Sequence, residues 1–87
     1  MGGWSVVFES AASKEVRRIE RRERERILRA VEALKTDPRP AGCKYLKGRW
    51  SGYLRIRVGA YRVVYAVEDA RLVVVVIHVG HRRDVYD

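Results

Sequence analysis

The period of the hydrophobic positions changes twice along the chain. Trp4 to Phe8 is a short apolar-rich run set between Gly3 and the polar pair Glu9-Ser10, which predicts a first strand. The spacing then lengthens. Ala12, Val16 and Ile19 fall at i, i+4 and i+7, one stripe of a helix for which Ser10 is a good N-cap. Residues 20–26 are all charged, and apolar periodicity returns with Ile27, Ala30 or Val31, and Leu34. Two helices over about 10–20 and 23–36 are predicted, folded as a hairpin. A single long helix is the alternative, since no Gly or Pro separates them. Asp37-Pro38 and Pro40 end the second helix.

The period then falls to that of strands. Cys43–Ser51 reads as a connector with a short extended piece at Lys44–Leu46. Tyr53–Val58, Tyr61–Val67 and Leu72–Val79 are rich in β-branched and aromatic residues and are predicted strands. Gly59-Ala60 makes a two-residue loop with Gly first, which suits a type II′ hairpin, and Glu68–Arg71 is a second, polar turn. Val73–Ile77 is apolar at every position, the pattern of a strand covered on both faces, so it belongs centrally in the sheet. The order strand, helix, helix, three-strand meander predicts one α+β domain over residues 1–87, with the helical hairpin on one face of a mainly antiparallel sheet.

Composition narrows the partners. An 87-residue chain has room for one domain with a thin core. Lys and Arg number 19 against 11 acids, for a net charge of +8, and fifteen of the 19 are Arg. A GC-rich genome accounts for Arg over Lys but not for the excess itself, which points to nucleic acid or an acidic protein. Cys43 is the single cysteine, so an internal disulfide is excluded, in keeping with a reducing cytoplasm. Residues 1–30 hold no apolar run before a cleavage site, and the longest apolar stretch, Leu72–Ile77, is far too short to cross a membrane. The expectation is a cytoplasmic protein with no membrane partner. One Cys, two His and no clustered Asp pair leave no metal constellation, and no phosphate-binding Gly loop or nucleophile elbow occurs, so no metal and no cofactor are expected. The alternating charges of Arg17–Arg29, with Glu20–Arg24 and Glu25–Arg29 at i, i+4, read as a solvated helix face.

The chemistry gathers on the first hairpin of the meander. With Gly59 and Ala60 as the loop, Val58 faces Tyr61, Arg57 faces Arg62 and Arg55 faces Val64. Alternation then puts Arg55, Arg57 and Arg62 on one face. Leu54, Ile56, Val58, Tyr61, Val63 and Tyr65 take the other, against the helices. Like charges directly opposite in a sheet cost from a few tenths to about 1 kcal/mol, and guanidinium forks suit phosphate oxygens. A solvated polar face is the bland alternative. The hairpin from Tyr53 to Ala66 contains no acid, which favours an anion there.

The tail after the last strand, residues 79–86, adds His81, Arg82, Arg83 and Tyr86. Cleaving RNA without a metal requires a base for the 2′-OH, cations for the phosphorane-like transition state, and an acid for the departing 5′ oxygen. Arg, His and Tyr cover these roles. Taken singly, His81 reads better as a surface histidine, and Tyr86 reads equally well as a rim aromatic. His78 lies inside the strand pattern and reads as a structural or supporting residue.

Taken together, the series Asp37-Pro38, Leu46-Lys47-Gly48, Tyr53 to Tyr65 with its Arg-Val-Gly-x-Tyr-Arg-Val-x-Tyr core, Val79-Gly80-His81-Arg82 and Val85-Tyr86 resembles the RelE branch of the RelE/ParE toxin superfamily, over nearly the whole chain. The resemblance implies a RelE-like fold and a toxin of a type II toxin–antitoxin system, neutralised by a cognate antitoxin. It implies metal-independent, ribosome-dependent endoribonucleolytic cutting of mRNA in the A site. It places the site at Arg55, Arg57, Arg62, Arg82 and Tyr86, with His81 where some relatives carry another basic residue, and the free toxin as a monomer. Well-studied members have Lys where this chain has Arg55 and Arg57. Arg stays protonated and makes a poor base, so the base would be Tyr86 or His81. The sequence ends one residue after Tyr86, where many relatives continue into a C-terminal helix. The alternative is a ParE-like toxin, a protein that binds and inhibits gyrase and is not a nuclease.

Overall fold

The computed structural model describes residues 3–81. Strand β1 (Ser5–Phe8) leads into helices α1 (Ser10–Arg17) and α2 (Arg21–Ala33). After a long loop come β2 (Lys44–Tyr45), a 3-10 turn at Gly48–Trp50, β3 (Leu54–Val58) and β4 (Tyr61–Glu68). A second 3-10 turn at Asp69–Arg71 precedes β5 (Val73–His81). The five strands form one mixed sheet in the order β1-β5-β4-β3-β2, with β1 parallel to β5 and every other pair antiparallel. This is the predicted α+β arrangement.

The two predicted helices are separate, and polar caps make the break that Gly or Pro would otherwise supply. Glu20 takes an extended conformation and its carboxylate accepts from Arg22 N at 3.1 Å, while Arg24 Nη1 donates to Ile19 O at 3.2 Å. Arg24 therefore caps the end of α1 instead of joining the expected Glu20 pair. Surface pairing along α2 runs through Arg21–Glu25 and Glu23–Arg26. Ser10 is the first residue of α1, and its N-cap is Glu9.

The predicted helical stripes are buried: Ala12, Val16, Ile19, Ile27, Val31 and Leu34 pack on Leu54, Ile56, Val63, Tyr65, Val74, Val76 and Val79 of the sheet. Gly59 takes φ +60° while Ala60 keeps a negative φ, as a type II′ turn requires, and the Arg57–Arg62 register follows. Leu72, expected to open the last strand, takes φ +55° and closes the preceding turn, so β5 starts one residue later and runs on to His81. β5 is flanked by β1 and β4, yet only one of its faces is fully covered: Val74 and Val76 are buried, and Val73, Val75 and Ile77 are half-buried. Interior position in the ladder, rather than burial on two faces, explains its unbroken apolar run.

The register between β4 and β5 slips once. Tyr65 pairs with Val76 and Val64 with His78, so Ile77 is an extra residue, a bulge in β5. At the centre of the core the Tyr65 hydroxyl, itself fully buried, donates to Pro38 O at 2.9 Å and ties the loop after α2 to the sheet. Burial pushes that phenol above its usual ionisation range. Tyr65→Phe removes the donor and leaves a carbonyl in the interior. Urea unfolding should show a loss of about 1–2 kcal/mol, and an unchanged midpoint would mean that water replaces the bond.

Candidate active site

Residues directly opposite in an antiparallel ladder project to the same face. On the sheet face away from the helices, one rung runs Lys44, Arg55, Val64, His78, and the next runs Arg57, Arg62, Gly80. The predicted grouping of Arg55, Arg57 and Arg62 is therefore present, and Lys44 extends it to four cations. Gly80 adds no side chain beside Arg62.

The exposure of these cations differs from a solvated face. Arg57 is exposed, but Arg55 and Arg62 are only 4% and 8% exposed. The segment from Leu46 to Tyr53 folds over this face. Leu46 and Val64 make a small second core with Trp50, Tyr53 and Ile77 packed against it. Arg55 Nη1 reaches Gly42 O at 2.9 Å. A guanidinium sheltered from water acts on a nearby anion through a lower effective dielectric than a surface one. Where the two-residue β2 stops, a depression of about 310 Å³ opens beside β3, lined by Ala41, Gly42, Lys44, Arg55, Ile56 and Arg57. Its polar lining is cationic and suits an anionic ligand of modest size.

The two histidines lie on opposite faces, and the Ile77 bulge decides which is which. Unbroken alternation from Val74 and Val76 would put His78 under the helices and His81 among the arginines. The bulge reverses this. His78 joins the arginine face, its ring stacked on Trp50 with centroids 5.4 Å apart and planes at 20°. His81 pairs with Tyr61 and meets its ring edge-on at 5.5 Å, on the face that also holds Val63 and Tyr65. His81 is thus the predicted site residue that the fold does not gather with Arg55, Arg57 and Arg62. Arg82 and Tyr86 lie outside the described residues.

His78 has a second partner. β1 ends opposite Val76, where Glu9 N donates to Val76 O at 2.9 Å, so β5 loses its neighbour strand beyond that point. Glu15 of α1 takes over. Its Oε1 accepts from Val79 N at 2.9 Å, and its Oε2 lies 2.7 Å from His78 Nδ1. A carboxylate can only accept, so Nδ1 carries the proton in this pair. Among the described residues no group of three or more His, Cys, Asp or Glu side chains could hold a metal ion, and no helix is long and apolar enough to cross a membrane.

Sequence reasoning left out Lys44, Glu15 and Trp50 and set His78 aside. The Lys44–Arg55 pairing was within reach of the extended piece expected at Lys44–Leu46. Nothing in the local sequence signals that Glu15 completes the edge of a strand more than sixty residues away.

Comparison with known proteins agrees with this fold. The family model of the ParE toxin of the type II toxin-antitoxin system, parDE, matches residues 6–86. The toxin–antitoxin complex RelBE2 from Mycobacterium tuberculosis contains a chain 25% identical to this one, covering 91% of this chain and 98% of its own, with a TM-score of 0.81. The isolated E. coli RelE toxin is 33% identical over 91% of this chain and 84% of its own, with a TM-score of 0.73. The intact E. coli RelBE toxin–antitoxin complex gives 31% identity over 91% of this chain and 96% of its own, with a TM-score of 0.62. No curated protein sequence matches the chain.

Proposed function

The chain belongs to the RelE/ParE superfamily of type II toxin–antitoxin toxins, and from that premise we propose that it is a RelE-like endoribonuclease that cuts mRNA in the ribosomal A site. The observation that carries this reading is the cross-strand opposition of Arg57 and Arg62 with Arg55 and Lys44 on the adjoining rung. Such a row concentrates positive charge on one face and presents guanidinium forks that suit phosphate oxygens.

In this reading the 2′-OH attacks the adjacent phosphate and the bond to the 5′ oxygen breaks. Arg57 and Arg62 hold the phosphate oxygens as charge builds on them, and Arg55 reinforces the field from its sheltered position. Arg82 joins them from the tail. Arginine stays protonated, so these residues bind and neutralise, and other groups move the protons. Tyr86 is one of them. His81, on the face of Tyr61, is the weaker candidate. A chain this small, with few groups to read bases, relies on the ribosome to bring the scissile phosphate and the 2′-OH into line.

The relatives RelBE2 and RelBE were crystallised as toxin–antitoxin complexes. By extension this chain has a cognate antitoxin, acidic or amphipathic, lying over the basic face or along the helices.

Primer extension on a transcript translated in the presence of the purified chain tests the proposal. A-site cuts are expected, with full-length product restored by the antitoxin. The family model carries the ParE name, and that reading, a gyrase-binding protein, predicts an intact transcript and gyrase-linked DNA breaks instead. Neither outcome, in cells that still stop growing, would point to binding of RNA without cleavage.

A further inference from the structure

Metal-free RNA cleavage needs a proton acceptor beside the phosphate grip, and Arg55, Arg57 and Arg62, which stay protonated, cannot serve. We propose that His78 is that acceptor and that Glu15 is its positioning residue; this rests on the endoribonuclease reading above. Three features of His78 converge. It sits on the same face as Arg55, Arg57 and Arg62 and diagonally across from Arg62, a placement with Cα atoms about 7–8 Å apart in a regular ladder and Cβ atoms closer, so that an arginine and an imidazole can meet one phosphodiester. Its Nδ1 is held at 2.7 Å by Glu15, whose other oxygen is itself fixed by Val79 N at 2.9 Å. Its ring is stacked on Trp50, which carries the Arg49 guanidinium 5.4 Å from its centroid.

These contacts fix both the tautomer and the plane of the ring. With the proton on Nδ1, the lone pair is on Nε2, away from Glu15. The His78 side chain is 23% exposed, so a substrate can touch it. A histidine needed only to fill the face would not require an anchored carboxylate partner and an aromatic ring beneath it.

The step balances without a further reactant. Nε2 takes the proton of the 2′-OH as its oxygen attacks phosphorus. The bond to the 5′ oxygen breaks, and that oxygen leaves with a proton from water. The imidazolium then returns its proton to the hydroxide left behind. The products are a 2′,3′-cyclic phosphate and a 5′-hydroxyl end. Glu15 touches none of the reacting atoms. It keeps Nε2 turned to the 2′-OH and stabilises the imidazolium that forms.

The test uses the full chain on programmed ribosomes under single-turnover conditions, with binding and cleavage measured separately. His78→Gln should lower the cleavage rate by at least about 10²-fold and leave the half-saturating toxin concentration unchanged. Glu15→Gln is the sharper variant. Its amide oxygen can still accept from Val79 N, so the strand edge remains capped, but its amide nitrogen cannot accept from His78 Nδ1. It should keep the wild-type melting temperature and lose cleavage by about 10–10²-fold. If His78→Gln fails to fold, Glu15→Gln decides. A wild type that cuts beside a Glu15→Gln that cuts equally fast overturns this inference alone, as does a loss confined to binding. A wild type that leaves the transcript intact overturns the endoribonuclease reading, and the inference with it.

Discussion

Arg62→Ala is expected to abolish growth inhibition at equal expression and to lower single-turnover cleavage by about 10²–10³-fold, the usual cost of removing one preorganised donor from a developing charge. The side chain projects from β4 between Arg57 on one side and Gly80 on the other, so it occupies the middle of its rung. Alanine is compatible with the strand, and it removes the like charge opposite Arg57, a relief of up to about 1 kcal/mol. Because Arg62 is largely buried, its loss also reaches the packing around it, and circular dichroism must show a native fold before the activity is read. Arg57→Ala provides the cleaner companion. Arg57 is exposed, so its truncation disturbs little besides the grip. Full toxicity in both folded variants would remove the arginine row from the chemistry.

The second large effect belongs to the tail. Tyr86→Phe keeps the ring and deletes only the hydroxyl. If Tyr86 transfers a proton in the cleavage step, single-turnover cleavage should fall by about 10²–10⁴-fold with mRNA affinity little changed. His81→Gln should cost far less, since the His81 ring meets Tyr61 on the helix side of the sheet. The two replacements are informative as a pair. A larger loss in His81→Gln would require the end of β5 to turn over in the ribosome-bound state. Two near-wild-type rates would take both residues out of proton transfer.

The fold was legible in the sequence because periodicity reports it directly. Ala12, Val16 and Ile19, then Ile27, Val31 and Leu34, are the helical stripes, and all six are buried. The two-residue loop at Gly59-Ala60 set the Arg57–Arg62 register, because the turn type determines which residues oppose each other. The site was legible only as far as that register extended. A bulge leaves no mark on a run such as Val73–Ile77, where every residue is apolar. The residues after it therefore could not be assigned to a face, and His78 and His81 exchange places across it. The shelter of Arg55 and Arg62 was equally hidden, since burial depends on what folds over a strand and not on the strand's own pattern. Glu15 was read as one charge among many on a helix. Its role exists only because β1 is four residues long and leaves the edge of β5 uncovered.

The parallel pairing of β1 with β5 has a kinetic side. Ser5 and Phe8 find their partners at Val73 and Val76, so the sheet closes through contacts between distant parts of the chain, with the whole helical hairpin and the meander in between. Such closure pays its loop entropy before any long-range contact rewards it. The nascent chain cannot complete the sheet until β5 has been synthesised and released from the exit tunnel. The same late segment carries His78 and forms the fourth strand of the arginine face, after β2, β3 and β4. Partial chains that stop before β5 would therefore carry the arginines of β3 and β4 without His78 and without the closed sheet.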